Sequence, residues 1–425
     1  MRLELENIGK IKKADIILNG ITVIAGENST GKSTVGKALF SVFNSFYNLD
    51  KQIEDTRREM IENIISDTMR NEGYFVTDID DFIDEIIKKK LIINENYDGL
   101  ISELNRHIVS MGGDTEIPLY RRESVNEIIK RVKEILSVVN KEIFNKILQK
   151  RINGEFKKQI TTIGEFKEEG RICLNVREND IEIKLIDQEI KSISNAISMK
   201  TQAVYVDNPL IMDSLANYST DFLDRIKKQK KYISHRRHLE LCLIEDENKG
   251  DVEQAIDELI VDKQLENIEI RLNEICAGTF RNNKYYQIKD DGPMLDVRNV
   301  SAGIKIFMVI KQLLKNRKLE EKGILILDEP EVYLHPKWQL AFAELIIMLQ
   351  KQYNMHILLA THSPYFLRAI EVYAGKYGIA NKCDFYIAES EGLLANIRNV
   401  TNNTEEIYKK MLEPFEALQL ETYSE

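Results

Sequence analysis

Proline and cysteine are scarce in this chain of 425 residues, at seven and four, and tryptophan occurs once. So few prolines, and no Gly/Ser-rich tract, argue against domains strung on flexible linkers. Cys173, Cys242, Cys276 and Cys383 are scattered. Their spacing fits neither a disulfide framework nor a thiolate metal site, and they read as reduced thiols of a cytoplasmic protein. No apolar run is long enough to span a bilayer, and Met1-Arg2-Leu3-Glu4 starts no signal peptide, so no membrane partner is expected. Positive charge is also in deficit. The formal net charge is −10, so the molecule as a whole is not steered toward nucleic acid, and any such contact needs a local basic patch.

Charged residues are nonetheless 30% and hydrophobic ones 43%. A large core beside a heavily charged surface suits long exposed helices. The length suits two or three domains.

The most informative run is Gly26-Glu27-Asn28-Ser29-Thr30-Gly31-Lys32-Ser33-Thr34. It fits G-x-x-x-x-G-K-[ST], a phosphate-binding loop. Ile21 to Ala25 reads as a buried strand before it, and Val35 to Phe40 as the first turns of a helix after it. In that context glycine lets backbone N–H groups converge on phosphate oxygens, and the helix N-terminus adds partial positive charge. Lys32 would reach the β- and γ-phosphates of a bound nucleotide, and Ser33 would hold Mg²⁺.

Leu3 to Ile8 and Ala14 to Leu18 look like two strands leading into this loop. From about residue 45 to 150 the period becomes helical, with Ile61, Ile64, Ile65 and Met69, then Ile128, Ile129, Val132, Ile135 and Leu136, each on one face. This reads as an insertion of amphipathic helices. The period then switches to two. Ile172, Leu174 and Val176, and Ile181, Ile183 and Leu185, alternate across the turn Glu178-Asn179-Asp180, predicting a hairpin. Ala203 to Val206 is another strand. Helical period returns from about 210 to 275. Tyr285–Ile288 and Met294–Val297 are expected to pair across residues 289–293.

Gly323 to Leu327 is an apolar strand ending in Asp328 and Glu329. A strand without polar alternation is buried on both faces, as in a parallel sheet. Asp328 suits the Mg²⁺ shell, and Glu329 suits a base that orients or deprotonates water. Ile357 to Ala360 is a second buried strand, followed by Thr361-His362-Ser363-Pro364, which sets His362 where it can sense the γ-phosphate. Ser301 precedes a helix, Ile306 to Leu314, as a plausible N-cap, and Gly303 leaves room for close backbone approach.

Taken in order, the glycine loop, Ser301-Ala302-Gly303, Ile324-Leu325-Ile326-Leu327-Asp328-Glu329-Pro330-Glu331 and Ala360-Thr361-His362-Ser363-Pro364 resemble the ATP-binding-cassette ATPases. Asn28, and the run from Asp328 through Leu334-His335-Pro336, resemble the non-transporter branch with its RecF-like, SMC-like and overcoming-lysogenization-defect-like members. The resemblance covers residues 1–44, 151–207 and 276 to about 410. It implies an α/β P-loop NTPase head, a mixed parallel sheet with an antiparallel β subdomain, divided as core 1–44, helical insertion 45–150, antiparallel subdomain 151–207, helical insertion 208–275 and core 276–425. It also implies a homodimer or higher oligomer of heads sandwiching two ATP molecules. Lys32, Ser33, Asp328, Glu329 and His362 would act in cis, and Ser301 and Gly303 in trans. Three features depart from the family. No Mg²⁺-binding glutamine follows the strand at 203–206, where Asp207 and Asn208 stand, while Gln202 precedes it and Gln52 lies too near the loop. The signature is Ser-Ala-Gly-Ile-Lys. The acidic nuclease domain of the overcoming-lysogenization-defect proteins has no counterpart, and Tyr408, Met411, Leu412, Pro414, Phe415 and Leu418 form an apolar helical tail instead.

Arg225, Lys227, Lys228, Lys230, Lys231, Arg236 and Arg237 crowd together with Tyr232, His235 and His238. Residues 225–238 read either as a nucleic-acid contact or as a solvated helix face balanced by Glu240, Glu245, Asp246 and Glu247. Three roles follow for the ATPase: a regulator of a separately encoded effector, such as a nuclease or toxin, in bacterial anti-phage defence; a RecF-like repair ATPase that clamps duplex DNA; or a structural coiled-coil linker. The last is disfavoured because no heptad run is sustained. The first is favoured because the insertions are the main departure from a minimal head.

Overall fold

The computed structural model describes residues 1–76, 79–89, 106–110, 122–162, 169–219, 221–223, 234–244, 267–288 and 292–422. They fall into two compact units, Met1–Tyr47 with Leu148–Glu425, and Asn48–Ile147.

The larger unit is built on one sheet of eleven strands. Strands β1 (Arg2–Ile8), β2 (Ile11–Ile17) and β3 (Ile21–Gly26) lead into helix α1 (Lys32–Phe46). β3 is buried along its whole length, as its largely apolar run requires, with Thr22 satisfied by the Ile17 carbonyl. In the smaller unit, α2 (Leu49–Asn71), α3 (Asp80–Lys89) and α4 (Arg122–Ser137) flank a short antiparallel pair, β4 (Tyr74–Val76) with β5 (Ile108–Ser110). Ile61, Ile65 and Met69 meet Ile128, Ile129, Val132 and Ile135 in a separate core. The periodicity put these residues on helices but gave no sign of β4 and β5, which are three residues each. Such short strands carry no readable alternation.

Helix α5 (Asn140–Phe156) precedes the meander β6 (Gly170–Val176), β7 (Asn179–Ile186) and β8 (Glu189–Ile193). The expected hairpin is therefore three-stranded. β6 also pairs with β1, so this antiparallel patch is continuous with the main sheet. Next come β9 (Ala203–Val206), α6 (Ile211–Ala216) and α7 (His235–Leu243). A small three-stranded sheet follows: β10 (Thr279–Arg281), β11 (Tyr285–Gln287) and β12 (Met294–Asp296). β11 pairs with β12 as the sequence suggested, although 289–291 of the connecting turn lie outside the described residues.

The remaining elements are α8 (Ala302–Lys315), β13 (Ile324–Asp328), α9 (Pro336–Tyr353), β14 (His356–Thr361), α10 (Pro364–Lys376), β15 (Cys383–Glu391), β16 (Leu394–Asn399) and α11 (Glu405–Thr422). The strands at the heart of the sheet run parallel in the order β15-β3-β14-β13-β9. In β13, Ile324, Leu325, Ile326 and Leu327 are each at most 2% exposed. Burying a side chain of this kind contributes about 1.5–3 kcal/mol. Among the described residues no helix is long and apolar enough to cross a membrane, and all four cysteines are free and buried.

Candidate functional site

The register of the parallel strands lines up their carboxyl ends. Thr361 of β14 sits beside Ala25 of β3, Asp328 of β13 beside Ala360 of β14, and Leu327 beside Val206 of β9. The loop after β3, His362, Asp328 with Glu329, and Asp207 therefore emerge along one sheet edge. Open α/β sheets hold ligands at this edge.

The glycine loop is shaped by backbone sterics. Gly26 has φ 155° and Gly31 has φ 83°. A Cβ on Gly26 would lie 2.6 Å from the Ala388 carbonyl oxygen, so only glycine passes this close to β15. Glu27, Asn28 and Ser29 are exposed, and Ser29 is itself left-handed at φ 64°. Thr30 is buried and donates from Oγ1 to the Glu27 carbonyl at 2.8 Å. Lys32 is buried, and its Nζ donates to the carbonyls of Gly26 and Glu27 at 2.9 and 2.7 Å. Ser33 is exposed and Thr34 half-buried at the start of α1.

Glu329 stands at the centre of the charged groups. Its Oε1 lies 3.6 Å from Lys32 Nζ and 3.5 Å from His362 Nδ1. The hydrogen bond with His362 holds the Glu329 carboxyl below its usual range against the effect of partial burial, with Lys32 adding to the effect. His362 is raised in turn by Glu329, against burial, with Glu331 assisting. Glu329 also adopts φ 49°, and its N–H donates to the Ala360 carbonyl at 2.9 Å. A left-handed glutamate is uncommon and marks a residue held by its surroundings.

Asp328 differs from its neighbour. Burial pushes its pKa up, the nearby Ser33 hydroxyl and the Tyr205 hydrogen bond offset that, and the charges of Glu329 and Asp207 push it up further. Its Oδ1 is buried without a hydrogen-bond partner among the described residues. A carboxylate oxygen left buried and unpaired, next to a serine at a helix N-terminus, has the donor chemistry to fit Mg²⁺. Among the described residues no group of three His, Cys, Asp or Glu side chains is arranged for a metal ion. Mg²⁺ on a nucleotide needs only one or two protein ligands besides phosphate.

Ser301 precedes α8, but its side chain makes no capping hydrogen bond, contrary to the N-cap expectation. Its hydroxyl is exposed instead. Gly303 is needed for packing, since a Cβ there would lie 2.8 Å from the Tyr333 carbonyl oxygen. Lys305, in the first turn of α8, is buried and forms an ion pair with Asp213 of α6 at 2.6 Å.

Two participants carried no role in the sequence reading. Glu331 is 2% exposed, and its Oε1 accepts from the Thr361 hydroxyl and from the His362 N–H at 3.0 Å. Tyr205 donates from its hydroxyl to Asp328 Oδ2 at 2.9 Å. A lone tyrosine in the buried run Ala203-Val204-Tyr205-Val206 was the available signal, because a buried phenol needs a partner. Gln202 points elsewhere, to His238 Nε2 at 3.0 Å, and Gln52 lies in α2. Asn208 turns back to accept from the Leu210 N–H.

The basic cluster is corrected in part. Arg225, Lys227, Lys228, Lys230, Lys231 and Tyr232 lie outside the described residues, as do Glu245, Asp246 and Glu247. His235 and His238 are buried, so neither faces a phosphate backbone in solvent. Arg236 pairs with Asp207, and Arg237 with Glu240. His235 lies between two carboxylates: its Nδ1 is hydrogen-bonded to Glu155 at 2.6 Å, and its Nε2 stands 3.1 Å from Asp207 without hydrogen-bonding geometry. Burial opposes its charge, but the two carboxylates outweigh burial and raise its pKa above 6.5. The folded protein thus holds this proton more tightly than the unfolded chain does. The stabilisation is complete below about pH 6.5 and fades as pH rises through the raised folded value, at about 1.4 kcal/mol per unit of difference. Thermal melts from pH 6 to 9 should show stability falling with pH, and His235→Gln should flatten that slope. Parallel slopes would mean that His235 is not charged in the fold.

The family described as AAA ATPase domain matches residues 1–367. Among solved structures, the SMC head domain from Thermotoga maritima is 10% identical, with a TM-score of 0.39, covering 94% of this chain and 98% of that one. A Pyrococcus furiosus Smc head with an extended coiled coil, bound to the C-terminal domain of ScpA, is 10% identical at a TM-score of 0.40, covering 98% of each chain. The recombination mediator protein RecF is 11% identical at a TM-score of 0.35, covering 93% and 97%. Likenesses this distant carry no information on activity. The family match spans the glycine loop, the Asp328-Glu329 strand and His362, and by it this chain belongs to the AAA ATPase domain family.

Proposed function

We propose that this protein is a Mg²⁺-dependent ATPase that works as a pair of nucleotide-sandwiching heads. The observation that carries the reading is the convergence of Lys32 and His362 on one oxygen of Glu329, from three separate segments of the chain, directly beside a glycine-shaped phosphate loop. Lys32 exchanges its carbonyl partners for β- and γ-phosphate oxygens. Ser33 and Asp328 are the residues that would hold Mg²⁺, which when bound neutralises charge on the phosphates. Glu329, kept ionised, accepts a hydrogen bond from the attacking water and then its proton. His362 fixes the Glu329 carboxylate and faces the terminal phosphate.

The exposed Ser301 hydroxyl and the N-terminus of α8 supply the reason for pairing. A hydroxyl and free backbone amides at a positive helix end suit a phosphate that the same chain's loop does not present to them. A second copy would supply it. The separate helical core of residues 48–147 is more than a nucleotide head needs. On that ground we assign the ATP-driven pairing to control of a separately encoded effector, such as a nuclease or toxin in anti-phage defence.

Glu329→Gln tests the pair. It keeps shape and removes the proton acceptor. The variant is expected to bind ATP, to hydrolyse it at least about 100-fold more slowly, and to accumulate a dimer seen by light scattering only with ATP. Normal turnover would remove Glu329 from the role, and an ATP-independent monomer would remove the sandwich. ATP-dependent capture of plain duplex DNA by the purified variant would replace the effector reading with a DNA clamp.

A further inference from the structure

We propose that Tyr205 is a positioning residue for Asp328, and that His235, held by Glu155, sets the position of Tyr205. The inference rests on the Mg²⁺–nucleotide reading above and adds a device that controls it.

Tyr205 is fully buried in β9, one strand away from Asp328, and its hydroxyl fixes Asp328 Oδ2 at 2.9 Å. That bond leaves the other oxygen, Oδ1, as the buried and unpaired one. The phenol therefore decides which carboxylate oxygen is free and where it points. Gly36 of α1 makes the reach feasible, since a Cβ there would lie 3.1 Å from both Cζ and Oη of Tyr205.

The other face of the ring lies against His235, with centroids 4.3 Å apart and planes inclined by 26°. His235 cannot slide. Glu155 of α5 accepts from its backbone N–H as well as pairing with Nδ1, and the Asp207 carboxylate, just past β9, lies 3.1 Å from Nε2. Phe40 of α1 closes the edge at 6.1 Å. His235 is the first residue of α7, whose N-cap Ser234 accepts from the Arg237 N–H. A displacement of α7 would thus reach Asp328 through one stacked ring and one hydrogen bond. Outer partners of this kind commonly tune metal affinity by about 10–100-fold.

The test measures binding of a fluorescent, non-hydrolysable ATP analogue while MgCl₂ is titrated, using the full chain. Tyr205→Phe keeps the stacked ring and deletes only the hydroxyl. It is expected to raise the Mg²⁺ midpoint by about tenfold while leaving Mg²⁺-free nucleotide binding close to that of the unaltered protein, with a modest fall in melting temperature because Asp328 Oδ2 loses its donor. Glu155→Gln loosens the His235 clamp and is expected to raise the midpoint less. In the Tyr205→Phe background it should add nothing, because it acts through the missing bond. An unchanged midpoint in Tyr205→Phe overturns the positioning role and leaves the ATPase reading standing. Additive shifts in the double variant overturn the His235 half. Equal analogue binding by Lys32→Ala and the unaltered protein overturns the site itself, and the positioning role with it.

Discussion

Lys32→Ala is expected to abolish measurable ATP hydrolysis and to weaken ATP binding by at least about 100-fold, corresponding to about 3 kcal/mol of lost charged hydrogen bonding. The argument begins with the state of the lysine before nucleotide arrives. Its ammonium is nearly sealed from water, with 4% of the side chain exposed, and is satisfied by two loop carbonyls and the nearby Glu329. Phosphate oxygens replace weak neutral acceptors with charged ones, so the exchange favours nucleotide. Alanine removes the charge and also strips the two carbonyls of a donor, so a modest loss of stability accompanies the loss of binding. Calorimetric titration with ATP, phosphate release and a thermal melt separate these effects. Undiminished hydrolysis by folded Lys32→Ala protein would refute the site.

Ser301→Arg is expected to have as large an effect on turnover by a different route. The serine is exposed and caps nothing, so arginine there should neither unfold the protein nor impair nucleotide binding within one head. It should obstruct the one nucleotide site to which it contributes in trans. Mixing this variant with Lys32→Ala then gives a clean readout. Each mixed dimer has one site with both defects and one with neither. With random exchange about half the dimers are mixed, so about a quarter of the unaltered activity should return. Two inactive proteins that stay inactive together, with subunit exchange verified by differently tagged copies, would show that Ser301 does not act in trans.

Much of the core was legible because its elements are long or unbroken in pattern. β3 and β13 are largely apolar on both faces and end in motif residues, and this places the loop, Asp328 and Glu329 at strand ends from sequence alone. Strand order was not legible, because nothing in β14 states that it lies between β3 and β13. The left-handed backbone of Glu329 was hidden for a similar reason, since the non-glycine sequence gives no sign of φ 49°. Tyr205 and His235 were misjudged because their chemistry is tertiary. The tyrosine looked like strand filler, and the histidine, amid arginines and lysines, looked like part of a basic surface. Only the fold brings Glu155 and Asp207 to it from elements distant in the chain.

The strand order also has a bearing on how the protein is made. β3 leaves the ribosome long before its sheet neighbours, largely apolar, with both of its edges unpaired. Its sheet neighbours are β14 and β15, with Ile21 beside Ile357 on one side and Cys383 on the other. The whole stretch from Ile21 to Ile357 must be synthesised before either edge is covered. Pairings this remote in sequence close slowly, and exposed apolar edges recruit other chains while they wait. Nascent β3 is thus a segment that a chaperone would hold, and the phosphate loop that follows it acquires its shape only when β14 and β15 arrive.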